Sequence, residues 1–364
     1  MTSRWVLFTL LLCLAVFEGL LITMLSHWPS VLDTSKTRIQ EALYVSSPVA
    51  SSAYLFQPRQ PRKLLLVVAV LSHAARKARR DAIRETWFSD CRQRTDDVFC
   101  AFFTDQAGLD NETSSSVRKE SQENNDLVFL EVEDNLAFAE RLLQAIAWSF
   151  QRLKFDFFLR IDDDHFLCLD RLLYELNYRP KQALYWGFVH CRPKIVRVDE
   201  AWLMLTRDLI EEILEKRNST LLCSPYGDQA VAIWMGNSSK NVTYFMDNHR
   251  IVHKSAGKDQ KFFTKDVCMK YLSLHGTYPK AMRQLWLVAS VFRQRTPEAI
   301  AYTVNKIEPF DKLCPHSPRF DYRGFIPEYQ FKPKPCYENP KWALSKERHV
   351  GREETGERYS SYRR

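Results

Sequence analysis

The segment FDFFLRIDDDHF, residues 155–166, carries the signals that decide the fold of this chain. Its first seven residues, 155–161, are mostly apolar or aromatic, which is typical of a strand buried in a parallel sheet. Asp162, Asp163 and Asp164 follow at once. Because ligands of open α/β sheets bind beyond the carboxyl ends of the strands, the segment places three carboxylates where a ligand is expected.

The flanking sequence alternates between strand-like and helix-like segments. Apolar, β-prone runs predict further strands over 63–72, 97–104, 126–132 and 184–189. Helix-prone segments occupy 74–87, 135–153 and 168–177, whereas 110–125 is simply polar. This alternation predicts an α/β fold with a mostly parallel sheet and flanking crossover helices.

The three consecutive aspartates need a neutralising partner, because like charges this close repel each other. In an extended segment Asp162 and Asp164 would point to one side and Asp163 to the other. The pair could then hold one Mn²⁺ or Mg²⁺ and leave coordination positions open for substrate phosphates. The alternative is a solvated loop whose aspartates cap the next helix.

Composition excludes several classes of protein. The chain has 364 residues, 45% of them hydrophobic and 26% charged, which argues against global disorder. The formal net charge is +8, but the basic residues are scattered along the chain, so no nucleic-acid partner is expected. Only 10 glycines occur, and no glycine-rich phosphate or dinucleotide motif is present.

The N-terminus contains one long apolar run. Residues 5–25 include a single charge, Glu18, and reach the length of about 20 residues that a membrane helix needs. We expect an uncleaved transmembrane signal anchor, with residues 1–4 as a cytoplasmic tail and 26–62 as a stem. A cleavable signal peptide is the alternative.

Sequons and cysteines indicate that the following domain is lumenal. Four asparagines fit the N-x-S/T pattern for glycosylation: Asn111, Asn218, Asn237 and Asn241. Eight cysteines lie outside the apolar run, and an even number can pair in the secretory pathway. Buried free thiols remain the alternative. The combination predicts a single-pass type II membrane protein.

Further boundaries follow from composition. Residues 63–295 are predicted to form the lumenal domain. Residues 296–344 are rich in proline and aromatic residues and are expected to form an irregular extension. The charged residues 345–364 are expected to be disordered.

Motifs along residues 63–290 resemble the β-1,3-galactosyltransferase family of inverting glycosyltransferases. The matching segments are RRDAIRETW (79–87), LRIDDDHF (159–166), LDRLLYEL (169–176) and LYWGF (184–188). A closing segment runs from Cys268 through His275, Pro279 and Met282 to Trp286. Among the branches of this family, these motifs most resemble galactosyltransferase II, which builds the proteoglycan linker.

The resemblance implies a GT-A fold and a protein anchored in the Golgi membrane. It also implies UDP-galactose as the donor, a glycan as the acceptor and Mn²⁺ or Mg²⁺ as the cofactor. Metal ligands would be Asp162, Asp164 and His275. Donor-binding residues would be Arg80, Arg84, Asp162 and Asp163. The alternative for His275 is a surface or helix-capping role. The alternative for the two arginines is an ordinary, solvated basic face of a helix.

The catalytic base implied by the resemblance is Asp228, which would take the proton of the acceptor hydroxyl. The family's Glu-Asp-Val segment corresponds here to Gly227, Asp228 and Gln229, so only the aspartate is kept. An aspartate after glycine is also a common turn residue. A glycine-rich run of the family is missing before Trp202, and its NLTxK segment reads NLAFAER at 135–141.

The sequence leaves two alternatives to an inverting galactosyltransferase. One is a β-1,3-N-acetylglucosaminyltransferase that uses UDP-GlcNAc, and another is a catalytically weak partner that binds glycans or nucleotide sugars. A metal phosphoesterase is disfavoured, because the sequence shows no second cluster of carboxylates or histidines that could hold a second metal ion.

Overall fold

The computed structural model describes residues 63–133, 137–191, 196–289, 310–316 and 333–340. All of them belong to one unit, Pro58–Arg364. The predicted cytoplasmic tail, anchor, stem and charged tail lie outside the described residues. Within the described part of the chain, no helix is both long and apolar enough to span a membrane.

A seven-stranded sheet forms the centre of the domain, in the order β3-β2-β1-β4-β7-β6-β9. Its strands are β1 Leu64–Leu71, β2 Val98–Ala107, β3 Leu127–Glu133, β4 Phe155–Asp162, β6 Leu184–His190, β7 Arg197–Thr206 and β9 Thr243–Met246. Strands β3, β2, β1 and β4 are all parallel, whereas β7 runs antiparallel to both β4 and β6. The mainly parallel α/β sheet is therefore confirmed.

Helices cover both faces of this sheet. They are α1 Lys77–Arg84, α2 Phe88–Gln93, α3 Asn111–Asn124, α4 Phe138–Arg152, α5 Leu169–Leu176, α6 Arg207–Lys216, α7 Gly227–Gly236, α8 Val267–Lys270, α9 Pro279–Ala289 and α10 Phe310–Leu313. Along β1, alternate side chains enter two separate cores. Val67 and Ala69 pack with α4, α6 and α7, and Val68 and Val70 pack with α1, α2, α5 and α9.

Two elements differ from the sequence-based expectation. The polar stretch 110–125 forms helix α3, whose first turn is capped by Asp110 accepting a hydrogen bond from the Thr113 amide. Only Val117 and Glu120 of this helix are buried, so its polar composition hid the pattern. Strand β7 was not predicted, although it lies inside the sheet beside β4.

A small sheet joins the end of β4 to the C-terminal half of the domain. It has the order β10-β11-β5, with β5 His165–Leu167, β10 Ile251–Val252 and β11 Ser273–His275. Strands β11 and β5 are antiparallel, and His275 is paired directly with His165. This register brings the closing segment of the chain to the acidic cluster.

Disulfide bonds pair all eight cysteines, so the free-thiol alternative is wrong. The pairs are Cys91–Cys100, Cys168–Cys268, Cys191–Cys314 and Cys223–Cys336. The last two attach residues 310–316 and 333–340 to the domain. Strand β12, Lys334–Pro335, also pairs with β8, Leu222–Cys223. The four sequon asparagines are exposed, as a glycosylation site requires.

Candidate functional site

The three aspartates diverge because strand β4 ends at Asp162 and a turn follows. Asp162 lies 2.9 Å from the Arg160 guanidinium, and Asp163 accepts a hydrogen bond of 2.7 Å from Arg79. The expectation that Asp162 and Asp164 point to the same side, as they would in an extended segment, is therefore wrong. Each carboxylate faces a different partner, and Asp163 is directed to the loop and helix after β1.

Asp164 meets His275 and His165. Its Oδ1 atom lies 3.5 Å from His275 Nε2, and one ligand atom from each of the three residues lies within 4.8 Å of the others. His275 Nδ1 is 2.7 Å from the His253 carbonyl oxygen, so Nδ1 donates there and Nε2 is left to face Asp164. A histidine held in this way is oriented as a metal ligand usually is.

Unsatisfied buried atoms show that this group fits a cation. Asp164 Oδ1 and His165 Nε2 are buried and have no hydrogen-bond partner among the described residues. A carboxylate oxygen beside imidazole nitrogens is a donor set for divalent first-row cations. Asp162 is not part of the group, because its carboxylate turns to Arg160. The structure thus brings together Asp164 and His275 of the three predicted ligands.

The electrostatics of the cluster reflect its shielding from water. Desolvation raises the pKa of Asp162 to about 6, with Arg160 opposing the shift. Burial also acts to raise the pKa of Asp163, but Arg76 and Arg79 outweigh it and hold this pKa below its usual value. Its two guanidinium partners therefore favour the ionised form of Asp163, whereas desolvation disfavours the ionised form of Asp162.

Arg80 lies in a different environment from the one expected of a donor-binding residue. It is fully buried, and it donates two hydrogen bonds to Glu120, of 2.8 and 2.6 Å. Its remaining donors bind Ser72 Oγ and the carbonyl oxygens of His73 and Ala74. Arg80 therefore fixes the loop after β1, and all five of its N–H groups are used.

Arg84 behaves in the same way. It donates to both carboxylate oxygens of Asp126, at 2.9 and 2.8 Å, and forms an ion pair with Glu120 at 2.8 Å. Neither Arg80 nor Arg84 is part of a solvated basic face. Besides Arg160, the guanidinium groups that face the acidic cluster belong to Arg76 and Arg79, which sequence analysis did not select.

A cleft of about 90 Å³ opens beside Asp162, at the carboxyl ends of β1, β2 and β4. An ion pair between Arg141 and Asp105, with N–O distances of 2.6 and 2.5 Å, forms one wall. The lining residues are Leu71, Ser72, His73, Arg76, Phe103, Asp105, Phe138, Arg141, Arg160 and Asp162. The cleft has the position predicted for a ligand site of an open α/β sheet.

Asp228 lies in the first turn of α7 and not in an isolated turn. Its carboxylate forms an ion pair with Arg197 and accepts a 2.8 Å hydrogen bond from the Gln229 amide. Its own amide donates to Glu200 Oε2 at 3.2 Å. The Asp228 carboxylate is therefore buried and held in place, with a guanidinium as its main partner.

Glu200 is a further candidate that sequence analysis missed. Its main-chain carbonyl accepts a hydrogen bond from Arg160, which ties it to the acidic cluster. A side chain at Gly227 would collide with the Glu200 carboxylate, which fills the space above the glycine. Desolvation raises the pKa of Glu200 to about 8, with Asp228 and Asp162 adding to the shift. Strand β7 was not recognised, so no signal could place Glu200 here.

A second group of possible ligands consists of His190, Asp199 and His253. His190 Nε2 lies 2.6 Å from Asp199 Oδ2, and His253 Nδ1 lies 3.4 Å from the same atom. The expectation that no second cluster exists is therefore wrong. The three residues come from separate strands and loops, so their proximity is a result of tertiary structure.

Comparison with known proteins finds similarity to galactosyltransferases over part of the chain. The family model described as Galactosyltransferase matches residues 78–212. The chain is 32% identical over 157 residues to mouse beta-1,3-galactosyltransferase 6, an alignment that covers 41% of this chain and 46% of the relative. The chain thus spans about half the length of this curated relative.

Among solved structures, a mannosyltransferase from Pyrobaculum calidifontis, in complex with GDP-Man and Mn²⁺, aligns with 67% of this chain and 73% of its own. The identity is 12% and the TM-score 0.31. The family model covers most of helix α1 and the acidic cluster at the end of β4, so this part of the chain is similar to the Galactosyltransferase family.

Proposed function

We propose that the chain is an inverting, metal-dependent glycosyltransferase with a GT-A fold, which moves galactose from UDP-galactose to the 3-hydroxyl of an acceptor sugar. The observation that carries the proposal is Asp164 facing His275 across the β5–β11 ladder, at the carboxyl end of β4. Both residues belong to motifs by which the chain resembles its family. Acceptors would be glycans on proteins, proteoglycans or lipids.

The donor would bind along the carboxyl ends of the parallel strands. The cleft of about 90 Å³ beside Asp162 is smaller than the usual 300–1,000 Å³ of ligand pockets. A nucleotide sugar would therefore extend from this cleft across the acidic cluster toward His275. Arg76 borders the cleft and is well placed to contact the diphosphate, whereas the donors of Arg80 are committed to the protein.

Asp164 and His275 would hold Mn²⁺ or Mg²⁺, with His165 beside them. When bound, the cation would neutralise the diphosphate and stabilise the charge of the departing UDP. Asp162 lines the cleft and pairs with Arg160, so it would border the donor rather than hold the cation. The assignment of Asp162 and Asp163 to donor binding remains part of this proposal.

Asp228 is the proposed base. In an inverting transfer, the acceptor oxygen forms a bond to the anomeric carbon as the bond to UDP breaks, and a carboxylate takes the hydroxyl proton. The ion pair with Arg197 holds the Asp228 carboxylate in place. Glu200, within hydrogen-bond reach of the Asp228 amide, gives the site a second carboxyl group.

There are two alternatives, one on the donor side and one with support in this acceptor region. A β-1,3-N-acetylglucosaminyltransferase would share every donor-side feature and differ only in the sugar pocket. A catalytically weak partner is favoured by the commitment of Asp228 to Arg197 and by Glu200 filling the space above Gly227.

A donor and acceptor screen tests the proposal. The purified full-length chain is incubated with UDP-galactose, UDP-GlcNAc or UDP-glucose, Mn²⁺ and a panel of β-linked acceptors, and the release of UDP is measured. We expect release with UDP-galactose only when an acceptor is present. Preference for UDP-GlcNAc would support the first alternative. UDP binding without transfer to any acceptor would support the weak partner.

We also propose that the protein is a single-pass type II protein of the Golgi membrane. The exposed positions of Asn111, Asn218, Asn237 and Asn241 support glycosylation in the lumen. Treatment of the cell-expressed chain with an N-glycosidase should lower its apparent mass, and Asn→Gln variants should each remove part of that difference. An unchanged mass together with a C-terminus accessible from the cytosol would contradict this topology.

A further inference from the structure

The group formed by His190, Asp199 and His253 has no role in the proposed transfer reaction. His190 ends strand β6 and is paired with Arg197 on β7. Asp199 lies two residues beyond Arg197, so it is on the same face of the sheet as His190. His253 follows β10 directly. Three separate segments thus deliver two imidazoles and one carboxylate to one point.

The geometry of this group is fixed by its surroundings. Asp199 Oδ1 accepts a 2.8 Å hydrogen bond from the Ala201 amide, which leaves Oδ2 to face both histidines. Phe188 stacks on the His253 ring with centroids 4.8 Å apart and contacts the His190 ring edge-on at 5.3 Å. The two imidazole rings are perpendicular, so both nitrogens converge on one oxygen.

Charge also favours a cation at this point. Asp199 is the one carboxylate of the group, and its Oδ2 atom faces both imidazoles. Arg197, which repels positive charge at His253, is itself paired with Asp228. The three side chains are half-buried, so an ion could reach them and keep open coordination positions for water.

We propose that His190, Asp199 and His253 form a second divalent-cation site, of the class that selects Zn²⁺. Two imidazoles and one carboxylate are donors that Zn²⁺ accepts as three protein ligands with a fourth position open. Mn²⁺ and Mg²⁺ prefer oxygen donors and would favour the Asp164 group. The inference is independent of the transfer reaction, because it needs only the three side chains.

The second site would influence the first. The His253 and His275 rings are stacked with centroids 5.6 Å apart, and the His253 carbonyl accepts the hydrogen bond that orients His275. Two cations held by these neighbouring groups would repel each other. Zn²⁺ at saturating concentration is therefore expected to weaken Mn²⁺ binding at the Asp164 group by about tenfold, which corresponds to about 1.4 kcal/mol.

Calorimetric titration of Zn²⁺ into the untagged full-length chain tests the proposal. The titration uses an Asp164→Ala background, because the Asp164 group also contains imidazoles. We expect one Zn²⁺ per chain in this background. His253→Ala or His190→Ala should then lower the Zn²⁺ affinity by about 100-fold or more, since loss of a ligand exceeds the 10–100-fold cost of losing its supporting partners.

His249→Ala is the matched control, because His249 is exposed and lies outside the group. It should bind Zn²⁺ as the Asp164→Ala chain does. His253→Gln, which keeps a side chain of similar size, separates ligand loss from misfolding, and urea midpoints verify the fold of each variant. Absence of Zn²⁺ binding in the Asp164→Ala chain, or binding unaltered by both His253 variants, would overturn the proposal.

Discussion

Two groups of carboxylates are connected through Arg160 and are built in opposite ways. The first, Asp162 to Asp164, is contiguous in sequence and ends one strand. The second, Asp199, Glu200 and Asp228, is assembled from β7 and the first turn of α7. A contiguous cluster can be recognised from sequence alone, whereas an assembled cluster appears only when the strands are placed.

Their partners differ as well. Each carboxylate of the contiguous group has its own cationic or imidazole partner, whereas Glu200 of the assembled group keeps a pKa of about 8. In the first group, Asp164 faces an imidazole and Asp162 and Asp163 face guanidinium groups. In the second group, Asp228 pairs with Arg197, Asp199 faces two imidazoles, and the raised pKa of Glu200 favours its protonated form.

The largest expected effect is at Asp164. Asp164→Ala removes the carboxylate that faces His275, so Mn²⁺-dependent binding of UDP-sugars and transfer should fall to background while the fold is retained. Asp162→Ala should have a smaller effect, because this carboxylate lies outside the group of ligand atoms. Calorimetry with UDP and Mn²⁺, together with transfer rates, measures both. Normal turnover in EDTA would contradict metal dependence.

The next effect concerns Asp228. Asp228→Asn keeps the shape of the side chain but removes its proton affinity, so transfer should fall by about 10²–10⁴ while UDP affinity is unchanged. Stability should fall modestly, because the Arg197 ion pair is lost as well.

Arg197→Met is the matched control for Asp228→Asn. It breaks the same ion pair but leaves the carboxylate, so transfer per folded molecule should persist in this variant. If both variants lose transfer equally, the ion pair matters for structure and the role of Asp228 as a base is contradicted.

The arginines of the α1 region allow a third comparison. Arg80→Met leaves Glu120 with a broken buried ion pair and releases the loop after β1, at an expected cost of about 3–5 kcal/mol in the free energy of unfolding. Arg76→Met, at a partly exposed position, should cost less than about 1 kcal/mol but weaken UDP binding. Urea unfolding and UDP titration measure the two effects. Loss of UDP affinity in a fully stable Arg80→Met chain would restore Arg80 as a donor ligand.

The smallest effect depends on pH. The folded chain raises the pKa of Glu200 from 4.5 to about 8, mainly by desolvation. The folded state therefore holds a proton that the unfolded state releases, and the free energy of unfolding decreases as pH rises from about 4.5 through 8. Glu200→Gln should be more stable than the wild type at pH 9, by on the order of 1–3 kcal/mol, and equal to it at pH 4.

Urea unfolding in EDTA at several pH values measures this difference. Glu211→Gln, at an exposed position of α6, is the matched control and should show no such trend. A pH-independent difference between Glu200→Gln and the wild type would show that Glu200 is not protonated in the folded chain.

The sequence predicted the parallel half of the sheet because its strands are long apolar runs between polar segments. Strand β7 was not predicted, because only its second half, from Ala201, is continuously apolar or buried. Helix α3 was not predicted, because only Val117 and Glu120 of its residues are buried. Secondary structure was therefore predictable where a segment has a clear apolar run or apolar face, and not where polar residues interrupt the run or few residues are buried.

The site was predictable in a similar pattern. Asp164 and His275 were identified together by resemblance, and the β5–β11 pairing brings them into contact. Arg80 and Arg84 were selected because they share a helix face, but the partner of that face is Glu120 on α3, the helix that was not predicted. The position of a charged side chain could be predicted only as well as the elements that face it.

The disulfides of the C-terminal segments have a consequence for biosynthesis. Cys191–Cys314 and Cys223–Cys336 join residues 123 and 113 positions apart, so neither can form until nearly the whole chain has emerged from the ribosome. Strands β1 to β4 can already be assembled by then, because domains begin to fold from their N-terminal part during synthesis. A chain that stops before Cys314 would leave Cys191 and Cys223 without their disulfide partners. Formation of these two disulfides, and with it the attachment of residues 310–316 and 333–340 to the domain, therefore comes late in the making of the protein.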